Sequence, residues 1–161
     1  MLVRKIERQD LARVSSICMK AFMHSVAPGL SNEGIDTFRE IAATDSFSKR
    51  IKGDNTVLVF EAAGMVQGVI ELKEGRHVAM LFVHPESQNK GIGRELISEV
   101  LTYARVDIIT VSASLNSVPV YLKYGFTCVG DADEKSGLKY QPMKLTLNRS
   151  GKLDALKRAS Y

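Results

Sequence analysis

Two short stretches of this chain hold residue types whose spacing could do chemistry. The first is Leu81 to Gly93, LFVHPESQNKGIG. An apolar run ends at Val83, a loop carries Gln88, Asn89, Lys90, Gly91, Ile92 and Gly93, and a helical pattern begins inside that loop. A helix N-terminus presents unpaired N–H groups and about half a positive charge. Glycines let a backbone approach a ligand closely. With Lys90 beside it, the segment reads as an anion site of the kind that holds a pyrophosphate. Two better-known phosphate loops fail here. A dinucleotide fingerprint needs a third glycine where Leu96 stands, and a P-loop needs Gly-Lys-Ser/Thr, whereas Lys90 precedes Gly91. The bland alternative is a glycine-rich turn that only starts a helix.

The second stretch is Leu115 to Phe126, LNSVPVYLKYGF. Asn116 is placed to end a strand and cap a helix. Gly125 fits a left-handed helix C-cap, and Phe126 re-enters a strand. Tyr121 and Tyr124 are each either core residues or donors. A phenol has a pKa of about 10, so it stays protonated at neutral pH and can act as an acid.

Those segments need elements to position them. Leu2 to Ile6 reads as a strand, and Asp10 offers an N-cap to a helix with Leu11, Val14, Ile17, Cys18, Ala21 and Phe22 on one face. That helix stops before Ala27-Pro28-Gly29. Further helical segments follow around Ile35 to Ile41 and Asp45 to Lys52. Thr56 to Ala62, Met65 to Lys73 and His77 to Val83 read as three meandering strands, turned at Ala63-Gly64 and Glu74-Gly75. A helix from Gly91 to Tyr103 and a strand from Asp107 to Ala113 complete a crossover that makes the strands at His77 and Asp107 parallel neighbours. A short helix, Ser117 to Tyr124, precedes two closing strands, Phe126 to Gly130 and Leu138 to Leu147, joined by a polar loop. The expectation is one α/β domain over residues 1–147. It has a mixed central sheet of about six to seven strands, with helices on both faces. Residues 148–161 form a basic tail, helical through Leu153 and Leu156 or else without structure.

Composition narrows the partners. The chain has 161 residues, 45% hydrophobic and 25% charged, enough for one domain with its own core. The net charge is +4, but the tail holds Arg149, Lys152, Lys157 and Arg158 against Asp154 alone. The body is therefore near neutral, which argues against a nucleic-acid partner. Cys18 and Cys128 are read as small buried hydrophobes; two distant cysteines make neither a disulfide framework nor a zinc site, so no metal is expected. The early charges Arg4, Lys5, Glu7 and Arg8 oppose a signal peptide, and nothing is apolar enough to cross a membrane. The cytoplasm is the default compartment. A homodimer is left open.

Taken together, Gln88-x-x-Gly91-x-Gly93 and Asn116…Tyr121-x-x-x-Gly125-Phe126, in this order and on these elements, resemble the GNAT superfamily of N-acetyltransferases from about Leu2 to Leu147. The resemblance implies acetyl-CoA as cosubstrate and transfer of an acetyl group to a primary amine. It implies that backbone groups of Leu81, Phe82 and Val83 hold the pantetheine and thioester. Amides from Gln88 to Arg94 would hold the pyrophosphate, that is Gln88, Asn89, Lys90, Gly91, Ile92, Gly93 and Arg94. Asn116 would contact the cofactor arm, and Tyr121 would be the general acid.

The base is less clear. Many members of that family carry a Glu on the strand before the phosphate loop, but HVAMLFV has no carboxylate. Glu71 on the preceding strand, His84 after the strand and His77 at its start are the candidates, with a water chain as the alternative. The acceptor site implied by the resemblance is flanked by His24 to Asn32 and Asp131 to Ser136. There Asp131, Asp133 and Glu134 form an acidic cluster that could attract an amine. A small-molecule amine is the first expectation and a peptide or protein amine the second. A non-catalytic acyl-CoA sensor is the rival class.

Overall fold

The computed structural model describes residues 1–148. The chain forms β1 (Leu2–Lys5), α1 (Leu11–Ala21), α2 (Asn32–Ile41), α3 (Thr44–Lys52), β2 (Asn55–Ala62), β3 (Met65–Lys73) and β4 (His77–Val83). It continues through α4 (Ile92–Val100), β5 (Ile108–Ser114), α5 (Val118–Lys123), β6 (Thr127–Cys128), β7 (Asp133–Lys135) and β8 (Leu138–Thr146). The sheet runs β1-β2-β3-β4-β5-β8-β6, with β7 paired to β8. The eighth strand, β7, comes from the segment read as a polar loop. Lys135-Ser136-Gly137-Leu138 is a two-residue hairpin in which Ser136 (φ 52°) and Gly137 (φ 80°) both take the left-handed conformation that such turns need. Ala63-Gly64 turns β2–β3 in the same way, whereas β3–β4 is joined by three residues, Glu74-Gly75-Arg76, of which Glu74 and Gly75 are left-handed.

Two cores cover the two sheet faces, because alternate strand residues point to opposite sides. On one face α4 buries Leu96, Ile97 and Val100 against Ile70, Leu72, Ile109 and Phe126. On the other, α1, α2 and α3 bury Val14, Ile17, Phe22, Phe38 and Phe47 against Val57, Val69 and Met80. Burying each of these large side chains contributes about 1.5–3 kcal/mol. α1 continues into a π-helical stretch, Phe22–Val26, closed by Ala27 N–H donating to the Phe22 carbonyl (2.8 Å), and stops at Pro28-Gly29 as expected. Asp10 does not cap α1 through its side chain. Its carboxylate accepts instead from Arg4 (2.7 Å) and from the Glu7 amide (2.7 Å). Cys18 is buried as expected, but Cys128 is exposed, because the two-residue β6 lies at the sheet edge. The tail readings beyond Asn148 lie outside the described residues. Among the described residues, no helix is long and apolar enough to cross a membrane.

Parallel pairing of β4 with β5 is present, but it is brief. Only His77↔Thr110 and Val78↔Val111 are in register. β5 then stays with β8 along its length, from Ile108↔Thr146 to Ser114↔Tyr140, while β4 stays with β3. The two halves of the sheet therefore part between Ala79–Val83 and Ser112–Ser114, and the gap opens into a cleft.

Glu71 sits away from that gap. It is on β3, 0% exposed, facing α3, with its Oε2 accepting from Arg50 Nε (2.8 Å) and Asn55 Nδ2 (2.5 Å). Its Oε1 and Arg50 Nη2 are buried without a partner, and Arg50 lies over the Phe47 ring. Removing one member of a buried ion pair strands the other. Arg50→Met alone should therefore cost about 3 kcal/mol in urea unfolding. Pairing it with Glu71→Leu should return at least ~1 kcal/mol of that loss. Strictly additive losses would show that the two residues do not depend on each other.

Candidate active site

The cleft has a volume of about 950 Å³ and runs across both halves of the sheet. One wall is the end of β4. His84 N–H donates to the Gln67 carbonyl on β3 (2.8 Å), and an antiparallel ladder alternates, so Phe82 also pairs toward β3. The backbone groups of Leu81 and Val83 accordingly face the gap where β5 has turned away. The Val83 carbonyl accepts from Gln88 Nε2 (3.2 Å), and Ser87 Oγ donates to Gln67 Oε1 (2.7 Å); these bonds pin the loop after β4.

The loop then turns through two left-handed residues, Asn89 (φ 64°) and Gly91 (φ 84°), and Gly91 caps α4. Around a Cβ built on Gly91 there is open space, so that face of the loop is free for a ligand. Gly93 is different: a Cβ there would lie 2.6 Å from Tyr124 Oη. Burial pushes the Tyr124 phenol up, while the neighbouring Arg94 cation, 5.5 Å from its ring, pulls the other way. Gln88, Asn89, Gly91, Ile92, Gly93 and Arg94 all line the cleft, as do Leu81, Phe82, Val83 and Asn116. Lys90 is exposed and is not part of the wall. Asn116 does not cap α5. Ser117 occupies that position, bonded to Ser114 (2.8 Å), and Asn116 is left exposed at the rim.

Tyr121 lines the cleft and is 6% exposed, packed edge-on against Phe126 and Tyr124. Burial pushes its phenol up, helped by the neighbouring Tyr124, so the hydroxyl keeps its proton. The Tyr-x-x-x-Gly spacing works because Phe126 N–H returns to the Tyr121 carbonyl (3.0 Å) across the left-handed Gly125 (φ 97°).

The candidate bases do not join this group. Glu71 is locked in the Arg50 pair. His84 is outside the wall, its Nδ1 accepting from the Glu86 amide (3.1 Å) at the start of a short 3₁₀ turn. His77 sits at the far end of β4 with Nδ1 2.7 Å from Thr110 Oγ1. Burial, then the Arg76 and Lys73 cations, lower its pKa. The acidic cluster also lies elsewhere: Asp131, Asp133 and Glu134 are exposed and none lines the cleft. Among the described residues, no group of three His, Cys, Asp or Glu side chains could hold a metal.

The ranges His24 to Asn32 and Asp131 to Ser136 do reach the second wall, through Ser25, Val26, Lys135 and Ser136, but sequence reasoning missed the contribution of α2 and the hairpin that carries Lys139 and Tyr140. Ser25 and Val26 of the π-helical stretch, Thr37 and Phe38 of α2, and Lys135, Lys139 and Tyr140 of the β7–β8 hairpin line the cleft on the side away from α4. The Ser136-Gly137 dipeptide was the available signal for that hairpin. The hairpin is tied to α2. Thr37 Oγ1 donates to the Ser136 carbonyl (2.7 Å), Lys139 Nζ donates to the Gly29 carbonyl (3.0 Å), and Gly34 packs on the Gly137 backbone with no room for a Cβ.

A parallel pair that parts beside a glycine loop and a helix N-terminus brings main-chain groups, a helix end that favours anions and a buried tyrosine into one cleft. Residues 26–147 match the model of the acetyltransferase (GNAT) domain, and the chain belongs to that family. It is similar to the L-amino acid N-acyltransferase MnaT of Escherichia coli (strain K12), 29% identical over 113 residues. That match spans 65% of this chain and 63% of the relative's length. Among solved structures, the PaiA N-acetyltransferase from Thermoplasma acidophilum in complex with coenzyme A is similar with TM-score 0.72 and 21% identity. It covers 90% of this chain and 98% of its own. The YncA protein of Salmonella typhimurium with its cofactor acetyl-CoA gives TM-score 0.66 and 26% identity, covering 92% and 95%.

The Tyr124–Gly93 contact gives a direct check on the loop. Gly93→Ala should lower Tm by several degrees, since the new methyl meets Tyr124 Oη. Adding Tyr124→Phe should restore most of it, because the next nearest atom, Cζ, is at 3.7 Å, an ordinary contact. Thermal unfolding in which the second change gives no relief would show that the hydroxyl is not what excludes a side chain at residue 93.

Proposed function

We propose that this chain is an acetyl-CoA-dependent N-acetyltransferase that acetylates the primary amine of a small molecule. The observation that carries the reading is the convergence on one cleft of three features: backbone groups of Leu81 and Val83 without a strand partner, the α4 N-terminus behind Gly91, and the buried hydroxyl of Tyr121.

The residues present fit the cofactor. The open face at Gly91 and the left-handed turn at Asn89 aim loop amides outward, and Arg94 and Lys123 add positive charge at that end. Gln88, Asn89, Gly91, Ile92, Gly93 and Arg94 would hold the pyrophosphate, with Asn116 at the rim beside the cofactor arm. Leu81 and Val83 would pair with the pantetheine amides as a substitute strand. Acetyl-CoA supplies an acyl thioester. The Val83 N–H would stabilise negative charge on its carbonyl oxygen as the amine nitrogen attacks. As the carbon–sulfur bond breaks, Tyr121 Oη would give its proton to the departing sulfur, and the proton of the acceptor nitrogen would leave through water. Neither Glu71 nor His84 is used, for the reasons of position given above.

The tie between α2 and the β7–β8 hairpin supports a small acceptor. Thr37–Ser136, Lys139–Gly29 and Gly34 against Gly137 tie the hairpin to α2 along the second wall, a closure that favours a small acceptor over an extended polypeptide. The relative from Escherichia coli is named for L-amino acids, which are small amines.

Tyr121→Phe tests the assignment. It should keep acetyl-CoA affinity within a few-fold and lower kcat by roughly 10²-fold, as expected for loss of a general acid. Tyr124→Phe should keep more of its kcat. The measurement is thiol release with an amine panel alongside calorimetric titration of acetyl-CoA. Near-normal turnover in Tyr121→Phe with a lowered Tm would make Tyr121 a core residue only.

A further inference from the structure

Two phenols reach the cleft from the end of α5, and only Tyr121 has a role in the transfer proposed above. The other, Tyr124, is the residue that closes α5; it is 8% exposed and also lines the cleft. Its position is fixed from several sides. Its N–H donates to the Val120 and Tyr121 carbonyls (both 3.1 Å). Its ring packs edge-on against Tyr121 (6.1 Å between centroids), and the Arg94 guanidinium lies 5.5 Å from the ring centre. The hydroxyl is held with the ring, yet the fold does not use it. Among the described residues it makes no hydrogen bond, and it is not sealed from solvent.

Gly93 shows where that hydroxyl points. A Cβ on Gly93 would stand 2.6 Å from Tyr124 Oη. On a helix the Cα–Cβ bond tilts toward the N-terminus. The hydroxyl therefore lies over the first turn of α4, toward its N-terminal end. Glu95 N–H makes the first bond of that helix, to the Gly91 carbonyl (3.1 Å). The N–H groups of Ile92, Gly93 and Arg94 thus have no acceptor within the helix. The two glycines play different parts. Open space surrounds Gly91, whereas the side-chain position of Gly93 is taken by a phenol. A hydroxyl donor from α5 is thereby set beside the turn that favours an anion.

Resting on the transferase reading above, we propose that Tyr124 is a further cofactor-binding residue, its hydroxyl donating to the pyrophosphate of acetyl-CoA beside the N–H groups of Ile92, Gly93 and Arg94. The chemistry suits the position. A phenol is protonated at neutral pH and donates to an anion. Such charge-assisted bonds are roughly twice as strong as neutral ones. The two tyrosines then divide the cofactor between them, Tyr121 at the sulfur and Tyr124 at the phosphates.

Three ligands separate the contributions. CoA carries a pyrophosphate and a 3′-phosphate, 3′-dephospho-CoA only the pyrophosphate, and pantetheine neither. In calorimetric titration, Tyr124→Phe should bind CoA and 3′-dephospho-CoA each roughly 10-fold more weakly than the wild-type chain, the size of one hydrogen bond to a charged group. Pantetheine, followed by NMR titration, should bind the two chains alike. The Tm of the ligand-free chain should move by less than about 2 °C, because the hydroxyl has no partner in the fold to lose. In thiol release the KM for acetyl-CoA should rise by the same factor as the calorimetric loss, with kcat reduced far less than in Tyr121→Phe. Unchanged CoA affinity in Tyr124→Phe, an equal loss with pantetheine, or a loss seen with CoA but not with 3′-dephospho-CoA overturns the proposal. So does a loss of affinity that comes with a Tm several degrees lower, the mark of a structural hydroxyl. A wild-type chain that fails to bind acetyl-CoA or to turn over any amine sinks the transferase reading. Wild-type binding and turnover, with Tyr124→Phe unaffected, sinks the Tyr124 proposal alone.

Discussion

The parting of β4 from β5 is the constraint on which the rest depends. Buried backbone N–H and C=O groups in a protein interior are nearly always paired. A parallel ladder that ends after Val78↔Val111 leaves a run of such groups on β4 without a strand partner. The fold can tolerate this because the two half-sheets are each complete elsewhere: β4 is paired with β3 as far as Val83, and β5 with β8 as far as Ser114. The core under α4 spans both halves, joining Leu58, Ile70 and Leu72 to Ile109, Met143 and Leu145, and so holds them together where the parallel ladder ends. What remains is a gap lined in part by main chain, the kind of surface that takes an extended amide-bearing ligand in place of a strand.

Where the sequence was legible, the information was local. Gln88 to Gly93 could be read because a turn, two glycines and a helix start are consecutive and each has its own backbone requirement; Asn89 and Gly91 do take left-handed conformations. Tyr121, Gly125 and Phe126 could be read for the same reason, since a single C-cap fixes their relation. The β4–α4–β5 crossover followed from chain length and connection rules. Glu71 could not be placed by such arguments. Strand alternation puts it on the face covered by α1 and α3, but only the arrival of Arg50 from α3 and Asn55 from β2 turns it from a free carboxylate into a buried pair. Cys128 was misjudged because strand pattern does not reveal that β6 is two residues long and at an edge. The acceptor wall was the least legible part: it joins residues about a hundred positions apart, Thr37 with Ser136 and Gly29 with Lys139.

The acidic cluster is the solvated polar turn that was the alternative to an amine site. Asp131, Asp133 and Glu134 are close to the right hairpin, but β7 alternates and is fully exposed, so proximity in sequence did not become proximity to the cleft. The charge that does enter from that hairpin is positive, from Lys135 and Lys139.

That reversal changes how the proton inventory of the reaction must be read. A site with a carboxylate base takes the acceptor as an ammonium, holds the cation by attraction, and then removes its proton. A cleft whose lining includes no carboxylate among the described residues cannot begin that way, because no side chain there would both attract the ammonium and remove its proton. On the proposed reading no cleft side chain would serve as the base, and the acceptor's proton would leave to solvent. The donor side differs. Burial keeps the Tyr121 phenol protonated, and among the described residues no carboxylate lines the cleft to compete for that proton. On the proposed reading the buried tyrosine would supply a proton to sulfur while the proton on nitrogen is lost to water.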